Sequence, residues 1–472
     1  MNSMNLSEVA SIVGAATPGA ADKSRTISAI CTDTRQMTPQ SLFVALRGEH
    51  FDGHEFLEQA ARGGAVAALV DRLPPAMPAN LRAIQVPDAR TAMGKLARFV
   101  RQQLRGKVIA VAGSNGKTST KCLVDAVLRS KFRGSVAPRS FNNNVGVPLS
   151  IFPADPAQDY LVLELGTNHA GEIGELAQIA APDIAIITNC TEEHLEGLGD
   201  VDGVRHENAS IIQGLAPDGL LIAHGDDAQL VRIIGDTAVK RVLFGFGPDN
   251  DLVAEEIDCE QSGTGFSIAS DGPRAWAPML GKHVAANALA AFAVGRAMGL
   301  ADRQIVAGLK TAQAPPMRLQ LRRVAGMRIL NDAYNANPPS MRAAIEMLAS
   351  LPARGRRVAV LGDMLELGDH ADAAHGRIGR ILARDFPPDL LICVGAHARA
   401  IADAAVAEGF ASDRVEQFPS AAGASASAIA KLMMPGDLLL LKASRAIGLE
   451  AVERAIVDGY HSAGPQRLRA AS

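Results

Sequence analysis

Residues 107–112, Lys-Val-Ile-Ala-Val-Ala, form a continuous apolar run, and Gly113-Ser114-Asn115-Gly116-Lys117-Thr118-Ser119 follows at once. An unbroken run of this kind predicts a parallel strand buried on both faces. Helical spacing over residues 117–131 then places the Gly/Lys/Thr segment at a strand-to-helix junction. The residue types fit phosphate binding. Glycines let backbone N–H groups approach phosphate oxygens, and the helix N-terminus adds positive potential. Lys117 can reach the β- and γ-phosphates of a nucleotide, and the Thr118 hydroxyl can bind Mg²⁺. The general pattern carries glycine at position 111, where this chain has Val111, so the loop is a variant. An ordinary strand–helix turn is the alternative; the strand–loop–helix context favours the phosphate loop.

The rest of the chain organises around that loop in three blocks. Residues 1–87 hold short apolar runs at 41–46, 65–70 and 82–86, read as strands around a helix near 55–62. Residues 88–314 open with helical spacing at 91–104 and continue with strand-like runs at 107–112, 160–165 and 184–188. Turn-rich residues 219–279 predict an antiparallel portion, and helices at 282–298 and 302–310 close the block. Pro315-Pro316 marks a linker. In residues 315–472 the alternation resumes, with strands expected at 357–361, 389–394 and 437–442. The fold class is α/β in three domains: a central P-loop ATPase-like parallel sheet and a Rossmann-like C-terminal domain.

Composition narrows the function. The chain has 472 residues, 48% of them hydrophobic, enough for several cores. A formal net charge of -3 gives no global basic field of the kind nucleic-acid binders show. Aromatic content is only 4%, which argues against base-stacking platforms. Cys31, Cys122, Cys190, Cys259 and Cys393 form no CxxC pair, so a reducing compartment is expected. With no signal-peptide pattern and no apolar stretch long enough to span a bilayer, the expectation is a cytoplasmic protein without membrane insertion. Monomer is the default expectation.

Glu164 ends the run at 160–165. An acid at the carboxyl end of a neighbouring parallel strand faces the phosphate loop, which makes Glu164 a candidate Mg²⁺ ligand. A surface glutamate at a strand end is the competing reading. His194 follows the run at 184–188; alone, a histidine there reads as structural. Asn142-Asn143-Asn144-Val145-Gly146-Val147-Pro148 is polar and then turn-forming; its asparagines can donate to phosphate or hold a substrate, but from the residues alone a simple turn is the better reading.

Taken together, Gly113-Ser114-Asn115-Gly116-Lys117-Thr118, Asn144-Val145-Gly146-Val147-Pro148, Glu164-Leu165-Gly166 and His194-Leu195-Glu196 resemble the Mur ligase family, which builds the peptide stem of peptidoglycan. In the first block, Thr32-Asp33-Thr34-Arg35, Leu42-Phe43-Val44-Ala45 and Phe51-Asp52-Gly53-His54 resemble its uridine-binding domain. In the third, Asp332-Ala333-Tyr334-Asn335-Ala336-Asn337-Pro338 and Leu361-Gly362-Asp363-Met364-Leu365-Glu366-Leu367-Gly368 resemble the members that join UDP-N-acetylmuramoyl-tripeptide to D-alanyl-D-alanine. The Asp-Asn-Pro-Arg signature of the members that add the third stem residue is missing.

The resemblance implies roles. ATP would lie on residues 113–119, with Lys117 and Asn144 on its phosphates. Thr118, Glu164 and His194 would surround Mg²⁺, and Lys117, Glu164 and His194 are the catalytic candidates. Asn287 would contact adenine, and Arg318 and Asp332 would close over the nucleotide. Thr34, Arg35 and Phe43 would lie near the uridine end of the substrate, and Asn168 and His169 along the peptide channel. Tyr334, Asn335, Asn337 and the 362–366 loop with Asp363 would receive D-alanyl-D-alanine.

Three positions depart from the family pattern. Asn208 stands where many members carry a carbamylated lysine that helps hold a second magnesium. Met317 stands where a glycine usually precedes the third-domain arginine, and Val284 where an asparagine usually follows the histidine of the adenine motif. Three rival readings stay open: another ATP-dependent amide ligase such as a folylpolyglutamate synthase, which shares the central motifs but against which the first block and the 332–338 signature argue; a P-loop kinase, which would release a stable phosphorylated product; and a nucleotide-dependent regulatory protein, which would hydrolyse ATP without ligation.

Overall fold

Strands Ala29–Cys31, Ser41–Val44, Ala65–Val70 and Arg82–Gln85 pair in chain order as a parallel sheet. The computed structural model describes residues 1–16, 25–269 and 271–462; residues 463–472 of the expected third block lie outside these. Helix Leu57–Arg62 falls where the apolar spacing puts it. Helix Ala89–Gln102 begins at Asp88, whose carboxylate accepts from the Thr91 N–H at 2.6 Å. Its apolar stripe, Ala92, Met93, Leu96, Ala97 and Val100, is buried in a cluster that runs from the first sheet into the second. Each such leucine or methionine contributes about 1.5–3 kcal/mol, so this helix mortars the two layers together.

The second sheet has nine strands. Lys107–Ala112 is an interior strand, third from one edge, flanked by Ile184–Ile187 and Tyr160–Glu164, all parallel. Registers Ala112↔Ile187 and Val111↔Glu164 bring the three carboxyl ends to one edge, where ligands bind in open α/β sheets. Val111 is fully buried between them. That is the physical reason a side chain is accepted at this variant position: the strand continues through it, and the turn begins only at Gly113. The expectation for residues 219–279 needs correction. Leu220–His224 and Lys240–Gly245 extend the parallel sheet, and only Leu252–Glu260, Gly263–Ile268 and Arg274–Ala277 turn antiparallel among themselves. Short runs and many turn residues concealed two ordinary strand–helix–strand crossovers. Helix His283–Ala297 is buried from Val284 to Gly295, apolar there on every side except for Asn287, as its alanine-rich sequence requires.

The third sheet runs in the order Gln320–Val324, Met327–Asn331, Leu438–Lys442, Arg357–Gly362, Leu390–Val394, Val415–Phe418. All pairs are parallel except the first, a hairpin. The Ala/Ser-rich segment near residue 425 is helical, as Gly423–Leu432.

Candidate active site

A cleft of about 730 Å³ opens at the carboxyl edge of the second sheet and is walled on its far side by the third domain. Its floor is the phosphate loop. Gly113 (φ 124°) and Gly116 (φ 83°) take backbone angles that disfavour any side chain. A Cβ at Gly116 would also press the Asn287 amide, at 2.7 Å. The loop is braced from behind. Ser114 N donates to Asn189 O at 2.8 Å, Asn115 N to Asn189 Oδ1 at 2.9 Å, and Thr188 Oγ1 to Asn115 O at 2.6 Å. Lys117 curls over the loop, its Nζ 2.5 Å from Gly113 O and 3.7 Å from Glu193.

Behind the loop, Glu164 is 1% exposed and fully bonded. Thr118 Oγ1 donates to its Oε2 at 3.0 Å, Asn142 Nδ2 donates to its Oε1 at 3.1 Å, and the Lys121 ammonium lies 3.1 Å from its Oε2. A hydroxyl beside a carboxylate at the foot of a phosphate loop is an oxygen donor set that suits Mg²⁺, which keeps waters and phosphate oxygens for its remaining positions. Among the described residues no group of three His, Cys, Asp or Glu side chains gathers as an all-protein cage. His194 Nδ1 lies 2.5 Å from Glu366 Oε2 of the third domain. Both residues are left-handed without being glycine, at φ 49° and 64°, strain that persists only where surrounding structure enforces it. Hydrogen bonding to His194 holds the Glu366 carboxyl below its ordinary range. Burial pushes the Glu193 carboxyl up, against the pull of Lys117.

The third domain closes the cleft from above. Arg318 donates to Thr118 Oγ1 at 3.0 Å, with its guanidinium carbon 4.2 Å from the centre of the Tyr334 ring. Met317 and Leu319, on either side, have φ 56° and 47°. The Met317 backbone thus adopts the conformation that glycine takes without strain. Asp332 accepts from Leu319 N at 3.0 Å and pairs with the buried Lys442 at 2.5 Å; Lys442 also donates to Asn335 O at 3.0 Å. Asn337 caps helix Pro338–Ser350 through Oδ1 and donates from Nδ2 to Asn115 Oδ1 at 3.1 Å.

Of the other residues singled out from sequence, Asn144, Asn168, Tyr334 and Asn335 line the cleft. His169 is exposed at the rim, 3.6 Å from Glu172. Thr34 and Arg35 sit on a short turn of the first domain, where Arg35 pairs with Asp33 at 2.8 Å. Phe43 is buried in the core of that domain with Leu57 and Val70, because its strand position points inward; its side chain meets core, not solvent. Asp363 is 5% exposed and accepts from the Ala396 and Ala398 N–H groups, so its carboxylate is committed to the start of helix Ala398–Ala407. Asn287 is buried against Gly116. Asn208 donates to Val204 O at 2.9 Å within its own helix, while Glu207 accepts from Gly171 N at 2.6 Å and Ile173 N at 2.7 Å. Sequence reasoning passed over Lys121, Glu193 and Lys442. The available signal was a lone cation or acid at an otherwise buried position, which demands a partner.

The description Mur ligase middle domain matches residues 111–295, Mur ligase, glutamate ligase domain matches 317–445, and Mur ligase family, catalytic domain matches 26–101. The chain belongs to the Mur ligase family. Relatives of this Mur ligase include the UDP-N-acetylmuramoyl-tripeptide–D-alanyl-D-alanine ligases of Bacillus subtilis, 38% identical over 92% of this chain and 93% of the relative, and of Escherichia coli, 36% identical over 97% and 99%. Among solved structures, MurF from Acinetobacter baumannii superposes with a TM-score of 0.85 at 29% identity, covering 97% of this Mur ligase and 99% of that chain. MurF ligase from Thermotoga maritima in complex with ADP superposes at 0.80 with 26% identity, covering 92% and 98%. No helix among the described residues is long and apolar enough to cross a membrane.

Proposed function

We propose that this Mur ligase joins UDP-N-acetylmuramoyl-tripeptide to D-alanyl-D-alanine, cleaving ATP to ADP and phosphate, and so makes the pentapeptide precursor of peptidoglycan. The observation that carries this reading is the meeting of two domains at one loop: Arg318 and Asn337 bond Thr118 and Asn115 across the cleft.

A carboxylate is a poor acyl donor because oxide is a poor leaving group. Transfer of the γ-phosphoryl group to a carboxylate oxygen gives an acyl phosphate and ADP. The dipeptide amine then attacks the acyl carbon, the C–O bond to phosphate breaks, and a proton leaves the new amide nitrogen. Lys117 and Arg318 neutralise charge spreading over the transferring oxygens. Thr118 and Glu164, with His194 at the third-domain side, would hold a Mg²⁺ bound with the nucleotide, which supplies further charge neutralisation. Asn144 would add a donor to the phosphates. The Lys442–Asp332 pair fixes the backbone that presents Tyr334, Asn335 and Asn337 toward the incoming dipeptide. With the third domain seated on the loop, water is kept from the acyl phosphate.

The first domain, residues 1–87, would take the uridine end of the substrate through the turn holding Thr34 and Arg35. Residues 88–314 would bind ATP, and residues 315–472 the dipeptide. The protein would work as a cytoplasmic monomer.

The test measures ADP release with both substrates, with each alone, and with Lys117→Ala. Release that needs both substrates, gives a joined product and falls about 100-fold in the variant fits the loss of one preorganised charge contact. ADP release without ligation, or a stable phosphorylated product, would sink the reading.

A further inference from the structure

The hairpin that begins the third sheet is built in a costly way. In its register Arg323 lies directly opposite Arg328, and like charges in that position destabilise a sheet. Two left-handed residues, Ala325 (φ 53°) and Gly326 (φ 77°), form its turn and fix that register. A third arginine, Arg354, arrives from the loop before strand Arg357–Gly362. The three line one cavity of about 360 Å³ together with Gln261, which comes from the turn between Leu252–Glu260 and Gly263–Ile268 of the central sheet. No Asp or Glu is among the residues lining it. Arg328 donates to the Pro352 carbonyl, and Arg323 and Arg354 have no side-chain hydrogen bond or ion pair among the described residues. Burial, with the charges of Arg323, Arg354 and Arg357, pushes the Arg328 guanidinium below its ordinary range.

This cavity is separate from the phosphate-loop cleft. Met327 and Arg328 begin their strand, and Asn331 ends it just before Asp332. The arginines therefore sit at the amino edge of the third sheet, while the cleft lies at its carboxyl edge.

We propose that the third domain carries a second anion site, in which Arg323, Arg328 and Arg354, with the Gln261 amide, hold the phosphate groups of a small soluble phosphate ester or pyrophosphate. Guanidinium forks match phosphate oxygens in pairs, and the three guanidinium groups border one open surface depression. A phosphate ligand would supply the counter-charge that the fold omits. Because Gln261 belongs to the central domain, the bound anion would also tie that domain's far hairpin to the third domain.

The experiment uses the full chain carrying Lys117→Ala, which weakens phosphate binding in the cleft, and pyrophosphate as the probe. Thermal unfolding and amide hydrogen exchange are followed with and without Arg323→Ser and Arg354→Ser together. Both arginines are exposed or nearly so at the hairpin surface, so the double change leaves the core intact. The expected result is a rise in melting temperature of about 2–4 °C at saturating pyrophosphate, with slower exchange in the 320–331 hairpin, both lost with the two serines. No slowing in that hairpin, or equal slowing with and without the serines, would overturn the proposal. Cosedimentation with anionic phospholipid vesicles in the absence of any pyrophosphate effect would also overturn it, since the ligand would then be a membrane surface.

Discussion

Arg318 reaches from the third domain to the Thr118 hydroxyl at 3.0 Å, and that same hydroxyl donates onward to Glu164 at 3.0 Å. One oxygen thus accepts from the third-domain cation and donates to the buried acid. Arg318→Ala should lower kcat/KM for ATP by about 100-fold, the scale of losing one preorganised donor, with little change in melting temperature. Arg318→Lys should recover only part, because an ammonium cannot reproduce both the stack on Tyr334 and the planar donor set. Steady-state kinetics of the two variants check this; full activity in the lysine variant would count against the stacked geometry.

Asn337 performs two tasks with two atoms, and they can be separated. Asn337→Asp keeps an oxygen to cap helix Pro338–Ser350 but places a carboxylate oxygen against Asn115 Oδ1. The cap is kept, so the variant should lose only the contact between the domains, and ligation should fall. Asn337→Ala should lose the cap as well, at about 1 kcal/mol. Urea unfolding beside kinetics resolves the pair.

Glu207 answers the buried Ile173 N–H and the more exposed Gly171 N–H at the start of helix Glu172–Ala180. Glu207→Ala would strand the Ile173 donor and should cost about 1–3 kcal/mol, read from urea midpoints. Activity per folded molecule should change far less than stability does. A large loss of kcat in fully folded protein would mean that Glu207 serves the chemistry.

The cysteines should divide by burial. Cys259 is exposed, whereas Cys190 and Cys393 are buried. Burial pushes both buried thiols up, that of Cys393 to about 12. Iodoacetamide at pH 8 should therefore label Cys259 in the folded chain, and Cys190 and Cys393 only after denaturation, because the thiolate is the reacting form. Mass spectrometry of the labelled peptides gives the answer.

How far the sequence spoke depended on whether a residue's neighbours were local. The strand–loop–helix at residues 107–128 was legible because its apolar run, its glycines and its helix start follow one another in the chain. The parallel strands Leu220–His224 and Lys240–Gly245 were misread because turn residues crowd around them, while their partners lie elsewhere in the sheet. Lys121 was invisible as a site residue: its helix position gives no hint that Glu164, on a strand, lies 3.1 Å away. Phe43 and Asp363 were drawn toward the substrate by their motifs, and the structure gives them core and capping surroundings. Residues near a site share its motif spacing whether they touch ligand or hold up the wall behind it.

The amide contact between Asn115 and Asn337 has an electrostatic consequence. Each asparagine stands at the approach to a helix, Lys117–Leu128 in one domain and Pro338–Ser350 in the other. Two helix dipoles thereby aim their positive ends into one gap. A chain whose formal net charge is -3 concentrates a cationic field there by orientation, and the strength of that field follows the distance between the two helix starts. Swinging the third domain away would dim it without moving a single lysine of the loop, so the grip on a polyphosphate is set by posture as much as by residue type.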